Sequence, residues 1–156
     1  MRTIRWACLG VLCVSASLAA QQGYTRVLLY DLSNFYYREP RQPVAPEARR
    51  LSNTSIPAKV RSLDGQKVVV DGFVFPYDQS ATRVTEFMLV ADEDECAFGD
   101  GPTTMNSWID VRMKPGTFAK WEPGQAVVRG VFSVGEQFDK DGYVVSLFRM
   151  TADSVN

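Results

Sequence analysis

The residues with the most capacity for chemistry lie together between positions 92 and 106, in the run Asp92-Glu93-Asp94-Glu95-Cys96-Ala97-Phe98-Gly99-Asp100-Gly101-Pro102-Thr103-Thr104-Met105-Asn106. Four consecutive carboxylates precede a thiol. A thiol acts as nucleophile or metal ligand in its thiolate form, which needs a nearby histidine, cation or helix N-terminus. The negative run beside Cys96 opposes that ionisation, so Cys96 is expected to pack as a small apolar residue. The carboxylates lack the alternating spacing of a calcium loop and read as a solvated charged turn. No metal site and no catalytic residue is assigned.

Composition narrows the chemistry further. The chain has no histidine and three cysteines, Cys8, Cys13 and Cys96. Without histidine there is no serine or cysteine catalysis with an imidazole base, no zinc site carrying histidine and no histidine-ligated haem. Carboxylate or lysine acid–base work survives, but no pair rises above ordinary surface charge. The expected role is therefore a non-enzymatic binding or accessory module that uses no cofactor. Long connections in small β domains more often serve function than packing. Cys96, Phe98, Gly99, Pro102, Asn106 and the adjoining Trp108 are accordingly the expected ligand- or partner-binding residues. The competing reading is a thiol- or metal-dependent envelope protein acting through the Cys96 loop. Trp108, Trp121, Tyr77 and Phe138 could form a stacking platform, or serve as core and rim packing.

The elements that must hold this loop are strands. Lys67 to Tyr77 (KVVVDGFVFPY) is rich in β-branched and aromatic residues and is closed by Pro76. Thr85 to Ala91 sets Phe87, Leu89 and Ala91 against Glu86, Met88 and Val90. Trp108 to Met113 sets Ile109, Val111 and Met113 against Asp110 and Arg112, the cleanest half-buried alternation in the chain. Gln125 to Val134 and Tyr143 to Met150 complete the set, joined by a turn at Asp139, Lys140, Asp141 and Gly142. Between the third and fourth strands, Pro115 to Gly124 has room for a single helical turn. Gly72 and Gly130 sit in mid-strand, where glycine marks a bend, bulge or close approach. Five short strands, one helical turn and two bends predict a mainly β fold, a small five-stranded OB-like barrel over residues 58–156.

Residues 20–57 read as a lead-in, partly helical or extended. Tyr24 to Tyr37 has apolar residues near helical spacing, whereas Pro40, Pro43, Pro46 and Pro57 oppose both helix interiors and central strands. Residues 1–19 read as a signal peptide, with Arg2 and Arg5 at the positive end, an apolar stretch from Trp6 to about Leu18, and small residues at Ser17, Ala19 and Ala20. The stretch is shorter than the about 20 apolar residues a membrane span requires, so no stable transmembrane anchor is expected after cleavage. The mature protein is expected to be periplasmic or secreted. Loss of the leader takes the 17 basic residues to 15 against 18 acidic ones, and the net charge from −1 to −3. Nucleic acid is not an expected partner of such a chain.

Three motifs carry a resemblance. They are Leu63-Asp64-Gly65 followed by Val68, the strand end Gly72 to Pro76, and the loop pattern formed by Cys96, Phe98, Gly99, Pro102 and Asn106. Over about residues 56 to 150 the chain resembles the bacterial exported family catalogued as domain of unknown function 3299. Many relatives carry histidine two residues after the cysteine, where this chain has Phe98. That departure removes the Cys-x-His pair on which a metal or redox role would rest. The resemblance also implies an envelope protein partner, specifically an accessory role beside an ATP-driven membrane transporter.

Overall fold

The computed structural model describes residues 23–49, 55–78, 80–92 and 104–156. The leader, residues 1–19, lies outside them.

Val68, Val69 and Val70 favour a pleated backbone, and they open β2 (Lys67–Pro76). This strand pairs antiparallel with β7 (Gln125–Phe138) through Lys67 to Phe73, and with β4 (Glu86–Val90) through Phe73 to Pro76. It therefore changes partner beside Gly72. A Cβ placed there would lie 2.6 Å from the Val90 carbonyl oxygen and 2.9 Å from Leu29 Cδ1, so only glycine fits the convergence. Beyond β4 the order runs to β5 (Trp108–Met113), β8 (Val144–Val155), β7 and back to β2. The β5–β8 pair is parallel and the other barrel pairs are antiparallel. This is a closed five-stranded barrel with the strand arrangement of an OB fold, as the sequence predicts. At the second mid-strand glycine, Gly130, the β7–β8 register shifts, and an added Cβ would meet Thr151 O at 2.3 Å.

The interior is lined by Val68, Val70, Phe87, Leu89, Ile109, Val111, Val128, Phe132, Phe148 and Met150, each 1% exposed or less. Phe132 and Phe148 stack with ring centroids 5.7 Å apart. Full burial of side chains this large contributes about 1.5–3 kcal/mol each, so the barrel interior dominates the stability of the domain.

Two elements depart from expectation. No helical turn forms at Pro115 to Gly124; Ala119–Lys120 is instead β6, paired with β3 (Arg83–Val84) in a two-stranded ribbon. Gly116 at φ 83° and Gly124 at φ 121° close the segment at both ends, leaving too few residues for a stable helix. Ala119 and Val84 are buried, so the ribbon adds apolar side chains to the core. Helix instead appears at α2 (Ala58–Arg61), just before β2, where Val60 is buried.

The lead-in forms β1 (Thr25–Val27), parallel to β2, and α1 (Leu29–Ser33), whose Leu29 and Leu32 join the main core. Further along, Tyr37 Oη donates to Glu136 Oε1 at 2.7 Å and Val44 N–H donates to Gly142 O at 2.8 Å. The Arg49 guanidinium lies 4.9 Å from the centre of the Phe138 ring. These contacts tie the lead-in to the β7–β8 hairpin, and the Val44–Gly142 bond also satisfies a backbone donor and acceptor.

Candidate functional site

Along a strand, alternate residues face opposite sides of the sheet. In β4 and β5 the inward residues are Phe87, Leu89, Ile109 and Val111, so Met88, Val90, Trp108 and Asp110 face outward. The register carries this outer face into its neighbours: Phe73 opposes Val90, which opposes Trp108, while Phe75 opposes Met88, which opposes Asp110, which opposes Arg149. Phe73, Phe75, Met88 and Trp108 are half-buried. None of them packs against the main core cluster, and Val90 between Phe73 and Trp108 is fully buried yet also outside that cluster. The outer face of β2–β4–β5 thus carries a second apolar layer of its own.

A polar network is set into this layer. Tyr77, just past the end of β2, donates its hydroxyl to Asp110 Oδ1 at 3.0 Å. Arg149 Nε lies 3.4 Å from Asp110 Oδ2, with the Asp110 side chain 12% exposed and that of Arg149 36%. Burial, the Asp110 charge and the hydrogen bond to it hold the Tyr77 phenol above its ordinary range, so it remains a donor. A buried carboxylate held by a phenol and a guanidinium is fixed in place and costs little further entropy on meeting a ligand. The next row holds Glu86 and Arg112, 3.7 Å apart and both exposed, which adds little to stability.

Of the residues expected from sequence, Trp108 stands on this face at the start of β5. Asn106 is 3% exposed and faces the lead-in: its amide nitrogen donates to Ser33 O at 2.9 Å and Phe35 O at 2.8 Å. Its polar hydrogens are committed to positioning the approach to β5. Cys96, Phe98, Gly99 and Pro102 lie outside the described residues. Tyr77 joins Trp108 on the same outer face, whereas Trp121 packs against the core beside the β3–β6 ribbon and Phe138 lies under Arg49. Sequence reasoning missed Phe75, Met88, Asp110 and Arg149 as a group. The available signal was Phe73 and Phe75 in alternation with Val74 on a strand apolar on both faces.

A separate groove lies beside the lead-in. It has a volume of about 420 Å³ between β1, α1 and α2, with Val27, Leu32 and Val60 as its floor and Arg26, Asp31 and Lys59 at its rim. Arg26 is already paired with Asp71. Among the described residues, no cluster of three or more histidine, cysteine or acidic side chains is placed to hold a metal ion.

Comparison with known proteins agrees with the barrel. The chain is similar to the crystal structure of a DUF3299 family protein from Pseudomonas aeruginosa PAO1, at 22% identity and a TM-score of 0.56, over 85% of this chain and 95% of that one. No curated protein matches it. The family model described as a protein of unknown function (DUF3299) matches residues 36–156, from the middle of the lead-in to the last residue of the barrel. The chain belongs to the DUF3299 family.

Proposed function

We propose that this chain is an exported, non-enzymatic binding or accessory module that engages its ligand through the outer face of β2–β4–β5. The observation that carries this reading is the Tyr77–Asp110–Arg149 network set among half-buried aromatic side chains that the core does not use. Burying a carboxylate without need is costly, and an apolar layer beside fixed polar groups is how binding sites combine affinity with orientation. Export is supported by the leader pattern of residues 1–19, and the absence of histidine from the whole chain supports a role without imidazole-based catalysis. The Cys96 loop is continuous with β4 and β5 and belongs to the same proposal. An accessory role beside a membrane transporter fits a module of this kind.

Cell fractionation and photo-crosslinking test the reading together. A benzophenone amino acid replacing Tyr77 is expected to give adducts in the envelope fraction, whereas the same group replacing the exposed Val145 gives none. Protein confined to the cytosol, or equal labelling from both positions, overturns it.

A further inference from the structure

We infer that the free edge of β1 accepts an extended segment of a partner protein as an added strand. This surface is separate from the outer face of β2–β4–β5 and independent of the reading given to that face.

The edge follows from how the barrel is closed. A closed barrel leaves no unpaired edge, but β1 is added outside the circuit: it pairs with β2 alone and ends the sheet order. The pairing on the far side of β2 tells which backbone groups of β1 are unused. Phe132 N–H donates to Gln66 O at 2.8 Å, and Val127 exchanges both backbone bonds with Asn156. The hydrogen-bonded pairs of the β2–β7 ladder are therefore Val68–Gly130 and Val70–Val128, and Val69 turns its N–H and C=O toward β1. In a parallel pair such a residue bonds to the two neighbours of the residue it opposes. Val69 opposes Arg26, so its partners are Thr25 and Val27. The Arg26 N–H and C=O thus point away from β2, and no backbone group among the described residues pairs with them. The Arg26 side chain is drawn to Asp71 on the outer side of the sheet and leaves the inner side open.

The groove beside the lead-in lies on that inner side. Thr25 and Val27 oppose Val68 and Val70, which face the core, so all four share the inward phase. Val27 lines the groove of about 420 Å³ together with Leu32 and Val60. A strand laid along β1 sends every second side chain into this space. Backbone bonding at an edge together with a pocket for alternate side chains is the geometry of strand addition.

Charge marks the two ends of the groove. The segment leading from α2 into β2 arrives where Thr25 opposes Val68, and Lys67 lies 5.9 Å from the centre of the Tyr24 ring, whereas α1 leaves β1 after Val27. Lys59 on α2 thus stands toward the start of β1 and Asp31 on α1 toward its end. Both line the groove, both are exposed, and neither is in an ion pair among the described residues. The matching occupant is an extended segment with apolar residues in alternation, an acidic residue at the Lys59 end and a basic one at the Asp31 end.

Two capped peptides, Glu-Val-Thr-Val-Thr-Val-Lys and Lys-Val-Thr-Val-Thr-Val-Glu, test this by titration into isotopically labelled protein in its exported form. One of them is expected to shift the Arg26 amide and the Val27 and Val60 methyl resonances saturably, to bind about threefold more tightly than the other, and to leave the Trp108 indole unmoved. Exchanging the rim charges, Asp31→Lys with Lys59→Glu, is expected to invert that preference, and both positions are exposed, so the core is untouched. Backbone pairing is read by N-methylation of the peptide, which leaves the protein as it is. With valines in the groove, Arg26 bonds to threonine amides of an antiparallel strand and to valine amides of a parallel one. Methylating that set alone is expected to weaken binding about tenfold or more. The sensitive set must agree with the preferred charge order: threonine with the lysine-first peptide, valine with the glutamate-first one. The proposal fails if neither peptide moves these resonances, if the charge exchange leaves the preference as it was, if the two methylations act equally, or if the sensitive set contradicts the charge order. Shifts of the same resonances with protein concentration alone place a second copy on this edge and overturn it too.

Discussion

Replacing Asn106 by alanine tests how the approach to β5 is held. The amide nitrogen of Asn106 donates to Ser33 O at 2.9 Å and to Phe35 O at 2.8 Å, and the residue is 3% exposed. Each hydrogen bond contributes a net of about 0.5–1.5 kcal/mol. Ser33 O keeps a second donor in the Phe35 N–H at 2.8 Å, whereas Phe35 O has no other donor among the described residues. Leaving that acceptor unpaired adds about 1 kcal/mol or more. The expected loss for Asn106→Ala is therefore about 2–4 kcal/mol, a large part of the about 5–15 kcal/mol that holds a domain folded. Urea unfolding followed by tryptophan fluorescence reads this directly. With a slope of about 2 kcal/mol per molar urea, the midpoint falls by about 1–2 M. Asn106→Asp sharpens the test, because it conserves volume but turns acceptors toward two carbonyl oxygens. It is expected to be at least as damaging at neutral pH and to recover as acid protonates the new carboxyl. A loss below about 0.5 kcal/mol for Asn106→Ala, or an Asn106→Asp chain as stable as the parent, refutes the reasoning.

Gly130→Ala places a Cβ 2.3 Å from Thr151 O and 2.8 Å from Ala152 Cα, backbone atoms that cannot rotate away. Calorimetry is expected to show a loss of about 2–3 kcal/mol, and an unchanged melting temperature would show that the strands separate more easily than their spacing implies. Tyr37 and Tyr77 both have phenols raised above the ordinary range, chiefly by burial, with Glu136 and Asp110 adding to it. The unfolded phenols ionise near about pH 10, so the stability these groups contribute is complete below that pH and is lost as pH rises toward the folded values. Unfolding midpoints measured from pH 8 to 11 should fall more steeply for the parent than for a Tyr37→Phe, Tyr77→Phe double variant, and parallel curves would contradict the assignment.

How much of this was legible depends on how local the signal was. The bounds of β5 follow from the alternation of Ile109, Val111 and Met113 with polar neighbours, and the structure places the strand at Trp108–Met113. β7 and β8 run further than composition suggests. Polar residues after Val134 and Met150 read as strand ends, yet β7 continues to Phe138 and β8 to Val155. Register shifts near Gly130, Val134 and Gln137 let the two strands stay paired through those polar stretches. Pairing across the barrel, a long-range property, decides their length. The same holds at Ala119–Lys120, whose extended form comes from Arg83–Val84, distant in sequence. Asn106 was singled out for its place in a loop motif, but its partners, the Ser33 and Phe35 carbonyls, are more than 70 residues away.

The candidate face was hidden for a related reason. In Lys67–Pro76 both faces of the strand are apolar, so a period of two cannot say whether the valines or the phenylalanines point inward. Size alone would send the phenylalanines to the core, because larger side chains remove more surface from water. The structure does the opposite: Val68 and Val70 are fully buried inside, while Phe73 and Phe75 are half-buried outside. Gly72 explains the choice. It shares the inward phase with Val68 and Val70, and its added Cβ would collide with the Leu29 and Leu89 side chains as well as the Val90 carbonyl. A residue that must be glycine marks the crowded side of its strand, and here that side is the core. The two phenylalanines on the opposite phase are therefore surface residues by construction, aligned with Met88, Trp108 and the Asp110 network. A mid-strand glycine thus fixes the phase of an ambiguous strand, and in fixing it separates the residues that build this barrel's interior from those on its outer face.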